Sequence, residues 1–167
     1  MAIEAARKHL ARWGRDKDIL EFETSSATVE LAAAAADVEP ARIAKTLTFR
    51  DGEGAMIVVA AGDARTDNAR FKAVFGGKPR MLSAEEALLF TGHAVGGICP
   101  FGLTHDLPVW LDISLRRFEI VLPACGSGNS AIRLTCDELE TYSGARGWVD
   151  VCKSWEGQEN AETVAEV

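Results

Sequence analysis

The stretch ARIAKTLTFRDGEGAMIVVAA, residues 41–61, contains two strand patterns joined by a turn signal. In its first part, KTLTFR at 45–50 alternates polar and apolar residues, which is typical of a strand with one buried face. AMIVVAA at 55–61 is continuously apolar, which indicates a strand buried on both faces. The intervening DGEG at 51–54 is rich in the residues that tight hairpin turns require. We therefore predict an antiparallel hairpin whose second strand is covered on both sides by other elements.

Helix and strand patterns alternate on both sides of this hairpin. The predicted helices cover residues 3–13, 26–37, 40–45, 68–75, 83–90 and 134–143. The further predicted strands cover residues 19–23, 109–113, 118–122 and 148–151. Capping signals mark several helix starts, among them Ser26 or Thr28 before an alanine run and the capping box that begins at Ser83. The pattern predicts a mixed α/β fold whose sheet is at least partly antiparallel.

The composition is that of one globular domain with an acidic extension. With 167 residues and 47% hydrophobic content, the chain can bury a core without disulfides or a structural metal. We predict a single domain over 1–155 and a flexible tail over 156–167, where four Glu occur without Lys or Arg. The chain has no run of about 18 apolar residues and no apolar signal core, so we expect a cytoplasmic protein without a membrane partner.

Charge and cysteine usage argue against several classes of function. The net charge of −7 disfavours a protein that binds DNA or other nucleic acid through its overall charge. None of the four cysteines forms a C-x-x-C pair and the three histidines are scattered, so the sequence has no zinc pattern. We therefore expect neither a metal nor another cofactor, and we expect free thiols that are mostly small core residues.

The segment HAVGGICPFGL, residues 93–103, combines glycines and a proline with apolar residues and has no Lys, Arg, Asp or Glu. Glycine lets another group approach the main chain closely, and Pro100 pushes Cys99 toward an extended conformation. Such a rigid, apolar loop can line a small pocket with its backbone. A tight bend between a helix and a strand is the alternative, because Gly and Pro occur in loops of every kind.

Two charged residues next to apolar strand residues are candidates for chemistry. Lys45 enters a strand beside Ala44 and Leu47, where an ammonium directed into a cleft could stabilise negative charge on a carbonyl or hold a phosphate. Asp112 interrupts the apolar strand VWLDI, so its carboxylate needs a hydrogen bond, an ion pair or a cavity. The alternatives are an ordinary surface lysine at a strand end, and a carboxylate that faces solvent or bonds to a neighbouring loop.

The loop ACGSGNSA, residues 124–131, is a third candidate. It offers backbone N–H groups and short polar side chains, although it matches neither the GxxxxGK[ST] nor the GxGxxG pattern. A plain connecting loop is the alternative. His93 and Cys99 also suggest a thiol nucleophile, but no orienting acid is identifiable and this hypothesis has little support.

Four of these segments, in this order, resemble the YbaK/EbsC group of aminoacyl-tRNA deacylases, whose fold is also inserted in bacterial prolyl-tRNA synthetases as an editing domain. The segments are ARIAKTLTF at 41–49, VAAGDARTDNARFKAVFG at 59–76, TGHAVGGICPFGL at 91–103 and VWLDISLRRFEIVLPACGSGNSAIRLT at 109–135. The resemblance extends from about Ser25 to Cys152. It implies an α+β fold with a mixed, largely antiparallel central sheet or half-barrel flanked by helices.

The resemblance also implies a reaction, the hydrolysis of the ester that joins a wrong amino acid to transfer RNA, without a metal. For this chain it predicts trans-editing of a small amino acid on proline tRNA. The substrate would be the acceptor end of an aminoacyl-tRNA, with an aminoacyl-tRNA synthetase as a candidate partner. The family's lysine corresponds to Lys45, which would position the ester and stabilise the oxyanion. The glycine of its GxxxP element corresponds to Gly96, and the backbone of Gly96 and Gly97 would contact the aminoacyl group and help place a water.

The other pocket residues that we predict belong to the start of the alanine-rich helix, the loops at 93–103 and 124–131, and the strand at 109–113. They are Thr28, Ile98, Cys99, Pro100, Phe101, Asp112, Ser127, Gly128 and Asn129. Some relatives carry a histidine or an acidic residue in the loop that here is ACGSGNSA, so the amino acid removed can differ where the reaction is the same. Arg7, Lys8 and Arg12 of the first helix are hypothesised to contact RNA.

Two other functions remain open at this point. A chain of this fold could have lost hydrolysis and act as a module that binds aminoacyl-tRNA or a synthetase, although the retained Lys45 and glycine loop argue against it. A small-molecule hydrolase could use Lys45 and Cys99 on a free ester or thioester. Turnover of aminoacyl esters that carry no RNA would distinguish this last function.

Overall fold

The computed structural model describes residues 2–156, so the predicted acidic tail lies outside the described residues except for Glu156. The helices are α1 (Ala2–Ala11), α2 (Val29–Ala36), α3 (Asn68–Phe75), α4 (Ala84–Thr91) and α5 (Cys136–Ser143). The strands are β1 (Leu20–Glu21), β2 (Ile43–Asp51), β3 (Gly54–Ala61), β4 (Arg65–Thr66), β5 (Val109–Asp112), β6 (Ile120–Pro123), β7 (Ser130–Ala131), β8 (Leu134–Thr135), β9 (Gly147–Val149) and β10 (Cys152–Lys153). Short 3₁₀ segments cover Asp16–Asp18, Pro40–Arg42 and Ile113–Arg117.

Six strands form one curled half-barrel sheet in the order β8-β6-β2-β3-β5-β9. β2 and β3 pair antiparallel over eight residue pairs that end at Asp51 and Gly54, so the predicted hairpin is confirmed. β6 and β8 also pair antiparallel, whereas β2–β6, β3–β5 and β5–β9 are parallel. Two small antiparallel pairs, β1–β7 and β4–β10, lie outside this sheet. The mixed half-barrel flanked by helices agrees with the expected fold class.

Capping groups hold the helix ends close to their predicted positions. Thr28 accepts a hydrogen bond from the Leu31 N–H at 3.1 Å, and Asp37 ends α2 in a left-handed conformation. Ser83 and Thr135 each form a complete capping box at the start of α4 and α5. These helix starts therefore follow from local hydrogen bonding, which a short sequence pattern can reveal.

Some predicted elements are shorter in the structure. The helix expected over 40–45 is wrong, since only a 3₁₀ segment forms before β2 begins at Ile43 and pairs with β6. The strand expected over 19–23 pairs with β7 at only two residues. The helix expected over 3–13 ends at Ala11, and a turn through Gly14 follows it.

The hairpin strand β3 lies at the centre of the main core. Its residues from Ala55 to Ala61 are each at most 4% exposed, which confirms the strand predicted to be covered on both faces. Across the neighbouring β2 and β6, the alanines of α2 pack against Ile43 and Leu122. Because alanine side chains are small, α2 lies close to these strands and borders an open cavity.

The cysteines act as small packing residues. Cys99, Cys125 and Cys152 are buried, Cys136 is half-buried, and all four are free thiols. Within residues 2–156, no three His, Cys, Asp or Glu side chains are grouped so that they could hold a metal ion. In the same part of the chain, the helices are too short or too polar to cross a membrane.

Candidate functional site

A cavity of about 250 Å³ lies between α2, the first part of β2 and the loop at 93–103. Its walls are largely apolar and include Ala32, Ile43 and Leu122. Met81 and Val95 also line it and are 64% and 67% exposed, so they lie at its mouth. Pockets for drug-sized ligands measure about 300–1,000 Å³, and this cavity therefore suits a smaller chemical group.

Lys45 is the only charged side chain among the described residues that line the cavity. Its Nζ donates to the Gly62 carbonyl at 3.4 Å and to the Ala64 carbonyl. An ammonium has three N–H groups, so one donor is left for a bound molecule. Asp63, which stands between these two residues in sequence, is engaged by Arg117 at 2.5 Å.

The ammonium of Lys45 is half-buried in a cavity whose described lining contains no carboxylate. Burial lowers the pKa of Lys45, because the charged ammonium loses hydration inside the protein, while Cys152 and Asp63 act in the opposite direction. Among the described residues, the cavity lining has no carboxylate. A cation with little water around it and no anion in its cavity is suited to stabilising a negatively charged oxygen.

The loop at 93–103 is held by hydrogen bonds at its two ends. His93 is fully buried, and its Nε2–H donates to the Phe101 carbonyl at 2.7 Å. The His93 N–H donates to the Thr91 hydroxyl at 3.0 Å. Burial lowers the pKa of His93, which favours the neutral ring that this arrangement contains. The loop is therefore a fixed wall of the cavity, built on an internal histidine.

Residues of this loop face in two directions. Gly96 and Ile98 line the cavity. Pro100 is buried outside the lining, and Cys99 and Phe101 are 0% exposed members of the main core. Burial raises the pKa of the Cys99 thiol to about 12, so this group is a thiol and not a thiolate nucleophile at neutral pH. The structure therefore gives no support to a hydrolase that uses Cys99.

Gly97 lies where the loop at 93–103 meets the loop at 124–131. A Cβ atom at this position would lie 2.6 Å from the Ser127 N atom and 2.8 Å from the Gly126 carbonyl carbon, which is closer than real Cβ atoms come. Gly96 has a φ angle of +98°, which favours glycine. Gly96 is thus favoured by its backbone conformation, and Gly97 is required by the close packing of two main chains beside the cavity.

The polar side chains of the loop at 124–131 hold the loop in place. Ser127 Oγ donates to Asn129 Oδ1 at 2.9 Å, and Asn129 Nδ2 donates to the Phe22 carbonyl at 3.0 Å. The Gly128 carbonyl accepts from the Ser26 N–H at 2.7 Å. These bonds connect the loop to the segment before α2, and none of Ser127, Gly128 and Asn129 lines the cavity.

Asp112 is fully buried outside the cavity lining. Its Oδ2 accepts from the Ser114 N–H and its Oδ1 from the Val151 N–H, both at 2.9 Å. These bonds join the end of β5 to the segment before β10. The carboxylate therefore has the structural role that the sequence left as an alternative, and the structure does not bring it to the cavity.

The structure brings four of the predicted site residues together in the lining and adds polar residues that the sequence analysis did not assign to the site. The predicted residues in the lining are Thr28, Lys45, Gly96 and Ile98. The additional polar residues are Ser26, Thr46, Thr48 and Ser130. In KTLTFR, the alternation puts Thr46 on the polar face of β2, and the structure covers that face with the cavity instead of open solvent. The position of the polar Thr46 directly after the candidate Lys45 is the sequence signal that could have identified it as a lining residue.

Comparison with known proteins identifies the family of this domain. The model of the aminoacyl-tRNA editing domain matches residues 23–142, which include α2, β2 and both loops. The uncharacterized protein YwhH of Bacillus subtilis (strain 168) is 54% identical over 157 residues, which cover 93% of this chain and all of YwhH.

Two more distant relatives have descriptions that mention a prolyl-tRNA synthetase. The proline–tRNA ligase of Bacillus cytotoxicus is 28% identical over 100 residues, which are 59% of this chain and 17% of the ligase. A crystal structure described as a candidate trans-editing enzyme for prolyl tRNA synthetase has a TM-score of 0.82 and 29% identity. That alignment covers 91% of this chain and 97% of the other.

Proposed function

Because the chain belongs to the aminoacyl-tRNA editing domain family, we propose that it hydrolyses the ester bond of a mischarged aminoacyl-tRNA in trans. The proposed substrate is a small amino acid joined to proline tRNA. Similarity to a proline–tRNA ligase and to a candidate trans-editing enzyme supports this choice. The observation that carries the proposal is the half-buried cation Lys45 in a small cavity whose described lining has no carboxylate.

Lys45 acts on the ester carbonyl in this proposal. A water oxygen bonds to the carbonyl carbon, and negative charge develops on the carbonyl oxygen. The remaining N–H of Lys45 donates to that oxygen, while the Gly62 and Ala64 carbonyls keep the ammonium in place. The bond to the terminal ribose oxygen then breaks, and that oxygen leaves with a proton. The products are a free amino acid and an uncharged tRNA.

The loop at 93–103 positions the aminoacyl group. Gly96 lines the cavity without a side chain, so its backbone can come close to the substrate. No Asp, Glu or His is among the described lining residues, and the ribose hydroxyl next to the ester is therefore proposed to assist the attacking water. This division of roles follows the family resemblance and requires no metal.

The cavity volume supports a small amino acid as the group that is removed. A cavity of about 250 Å³ is large enough for the aminoacyl group of a small amino acid. Size alone separates similar amino acids poorly, because one methylene group changes binding by about 1–3 kcal/mol. A further contact is needed to spare correctly charged prolyl-tRNA.

A deacylation panel tests the proposal. It consists of proline tRNA charged with Ala, Ser, Cys, Thr, 2-aminobutyrate or Pro, together with cognate alanyl- and seryl-tRNA. We expect rapid release of one or two small residues, and a loss of about 100-fold or more in Lys45→Ala, since removal of one oxyanion donor costs about 10²–10³ in rate.

Lys153→Ala is the matched control, because it removes an exposed lysine outside the cavity lining and should keep the wild-type rate. Failure to release any of these amino acids would contradict the proposal. Binding of the charged tRNAs without hydrolysis would instead support a binding module of the same fold.

A further inference from the structure

Two hydroxyl groups of cavity-lining residues have no hydrogen-bond partner among the described residues. They are Ser26 Oγ and Thr46 Oγ1. Ser26 is only 6% exposed, and its N–H is paired with the Gly128 carbonyl while its hydroxyl is not. Most buried polar atoms in native proteins have a partner, and each exception calls for a physical reason. Because both exceptions lie in the wall of one cavity, a group bound in that cavity could pair with both hydroxyls.

Other hydroxyls in the same wall are used by the fold. Thr28 Oγ1 accepts from the Leu31 N–H at 3.1 Å, and the Ser130 hydroxyl lies 2.8 Å from Ser127 Oγ and 3.4 Å from the Ser127 carbonyl, to which it donates. The unpaired hydroxyls of Ser26 and Thr46 are therefore not a general property of this wall. Neither oxygen is open to solvent, but rotation about the Cα–Cβ bond has three staggered positions and can direct a hydroxyl toward the cavity.

We propose that Ser26 and Thr46 recognise the side-chain hydroxyl of the amino acid, so that the cavity prefers seryl and threonyl esters to alanyl and 2-aminobutyryl esters. This inference rests on the proposed function and specifies its substrate class. A hydroxyl group both donates and accepts, so it can bond to two other hydroxyls at once. The ring carbons of proline can do neither, and prolyl-tRNA would leave both wall hydroxyls unpaired.

The electrostatics of the cavity favour a neutral group as the partner of these hydroxyls. The α-ammonium is the other polar part of every aminoacyl ester. It would meet the cation of Lys45 and apolar walls such as Ala32 and Leu122, and the described lining has no carboxylate to pair with it. Burying an unpaired ammonium there is costly, whereas a hydroxyl that is hydrogen-bonded on both sides is not. The ammonium is therefore expected at the open side of the cavity.

Matched pairs of esters on the same proline tRNA test this proposal. Seryl is compared with alanyl and threonyl with 2-aminobutyryl, since each pair differs by one hydroxyl. We expect kcat/KM of the wild type to favour the hydroxylated ester at least about tenfold in both pairs. Thr46→Val and Ser26→Ala should reduce this preference, because they should lower the seryl and threonyl rates more than the alanyl and 2-aminobutyryl rates. Thr141→Val, an exposed residue of α5, is the control and should change nothing.

Two results would overturn the proposal while leaving the editing function intact. One is an equal rate for both members of each pair in the wild type. The other is an equal loss for all four esters in the variants, because the two hydroxyls would then hold a part common to every substrate. If no ester is hydrolysed, the proposal is tested by competition for binding between non-hydrolysable amide-linked seryl-tRNA and alanyl-tRNA. Tighter binding of the seryl form supports recognition of the hydroxyl, and equal binding rejects it.

Discussion

Lys45 keeps an ammonium where water is scarce, and this determines how it titrates. Burial disfavours the charged form more than Cys152 and Asp63 favour it, so the pKa of Lys45 lies below its ordinary 10.5. We expect the Cε signal of Lys45 in ¹³C NMR to titrate with a midpoint below the ordinary lysine pKa of 10.5. Lys45→Arg removes the signal and thereby identifies it. A midpoint at or above 10.5 would show that the ammonium is hydrated and would contradict its proposed setting.

His93 links the stability of the cavity wall to pH. Burial lowers its pKa from the ordinary 6.5, although the Phe101 carbonyl opposes this, so the unfolded chain binds a proton more readily than the folded protein. The free energy of unfolding should therefore fall as pH drops below about 6.5 and the unfolded state becomes protonated. Urea denaturation at pH 7 and pH 5 measures this loss.

His93→Gln is the informative variant, because its amide can still donate to the Phe101 carbonyl but does not titrate. We expect the variant to lose less stability than the wild type between pH 7 and pH 5. Part of the loss should remain, since the pKa of the half-buried His9 is also lowered, mainly by burial. The same loss in both proteins would show that His93 does not contribute.

Side-chain direction follows from sequence in strands and much less in loops. The strand pattern KTLTFR places Lys45 in a strand, and the cavity lies beside that part of β2. Inside the loop at 93–103, no periodic pattern distinguishes the lining residue Ile98 from the buried Cys99. Asp112 could not be assigned from sequence either, because its partner N–H groups belong to residues that only the tertiary fold brings near, such as Val151.

At the scale of elements, the cavity depends on two loops that lie against each other through their main chains. We expect Gly97→Ala to lower the free energy of unfolding by about 1–3 kcal/mol, because its Cβ would overlap the Ser127 N atom at 2.6 Å. The same change should reduce deacylation, since the loop that carries Gly96 must move. Thermal unfolding and the deacylation rate measure the two effects.

Gly77→Ala is the matched control for this substitution. No atom lies within 4 Å of a Cβ at position 77 and its φ is not in the left-handed range, so stability and rate should not fall. If Gly97→Ala behaved like Gly77→Ala, the loop at 124–131 would not be a fixed support of the cavity.

Elements defined by local chemistry were predictable, and those defined by distant partners were not. The helix starts at Thr28, Ser83 and Thr135 depend on hydrogen bonds within four residues. The hairpin of β2 and β3 depends on one turn. By contrast, the two-residue strands β4 and β10 exist only because they pair with each other across the chain. The parallel pairings of β2 with β6 and of β5 with β9 likewise carry no local sequence signal.

At the scale of the whole molecule, two surfaces carry basic side chains. Those of α1 are largely paired with other protein groups, whereas Lys78 and Arg146 on the second surface have no ion pair within the described residues. Among the basic residues hypothesised to contact RNA from α1, Arg7 is paired with Glu21 at 3.3 Å. Arg12 donates to the His9 carbonyl at 3.1 Å. Only the exposed Lys8 of that group has no such contact within residues 2–156. Binding of a phosphate by the engaged side chains would require breaking these contacts, which reduces their expected contribution.

Lys78 and Arg146 form the second basic surface. They line a second cavity of about 280 Å³ beside the aromatic rings of Phe75 and Trp110, and neither side chain has an ion pair within the described residues. Free cations next to aromatic surface suit contact with the phosphates and bases of RNA. This surface is therefore the stronger candidate for contact with the tRNA acceptor stem, despite the net charge of −7.

The salt dependence of tRNA binding distinguishes the two surfaces. Each phosphate contact with a duplex adds about 0.9 to the slope of log K against log salt concentration. We expect the double variant Lys78→Gln, Arg146→Gln to reduce that slope by about 1–2, and Lys8→Gln to leave it nearly unchanged. Since neither cation contacts the editing cavity, hydrolysis at saturating tRNA should stay at the wild-type rate while KM rises. A slope that responds to Lys8→Gln and not to the double variant would place the RNA on α1 instead.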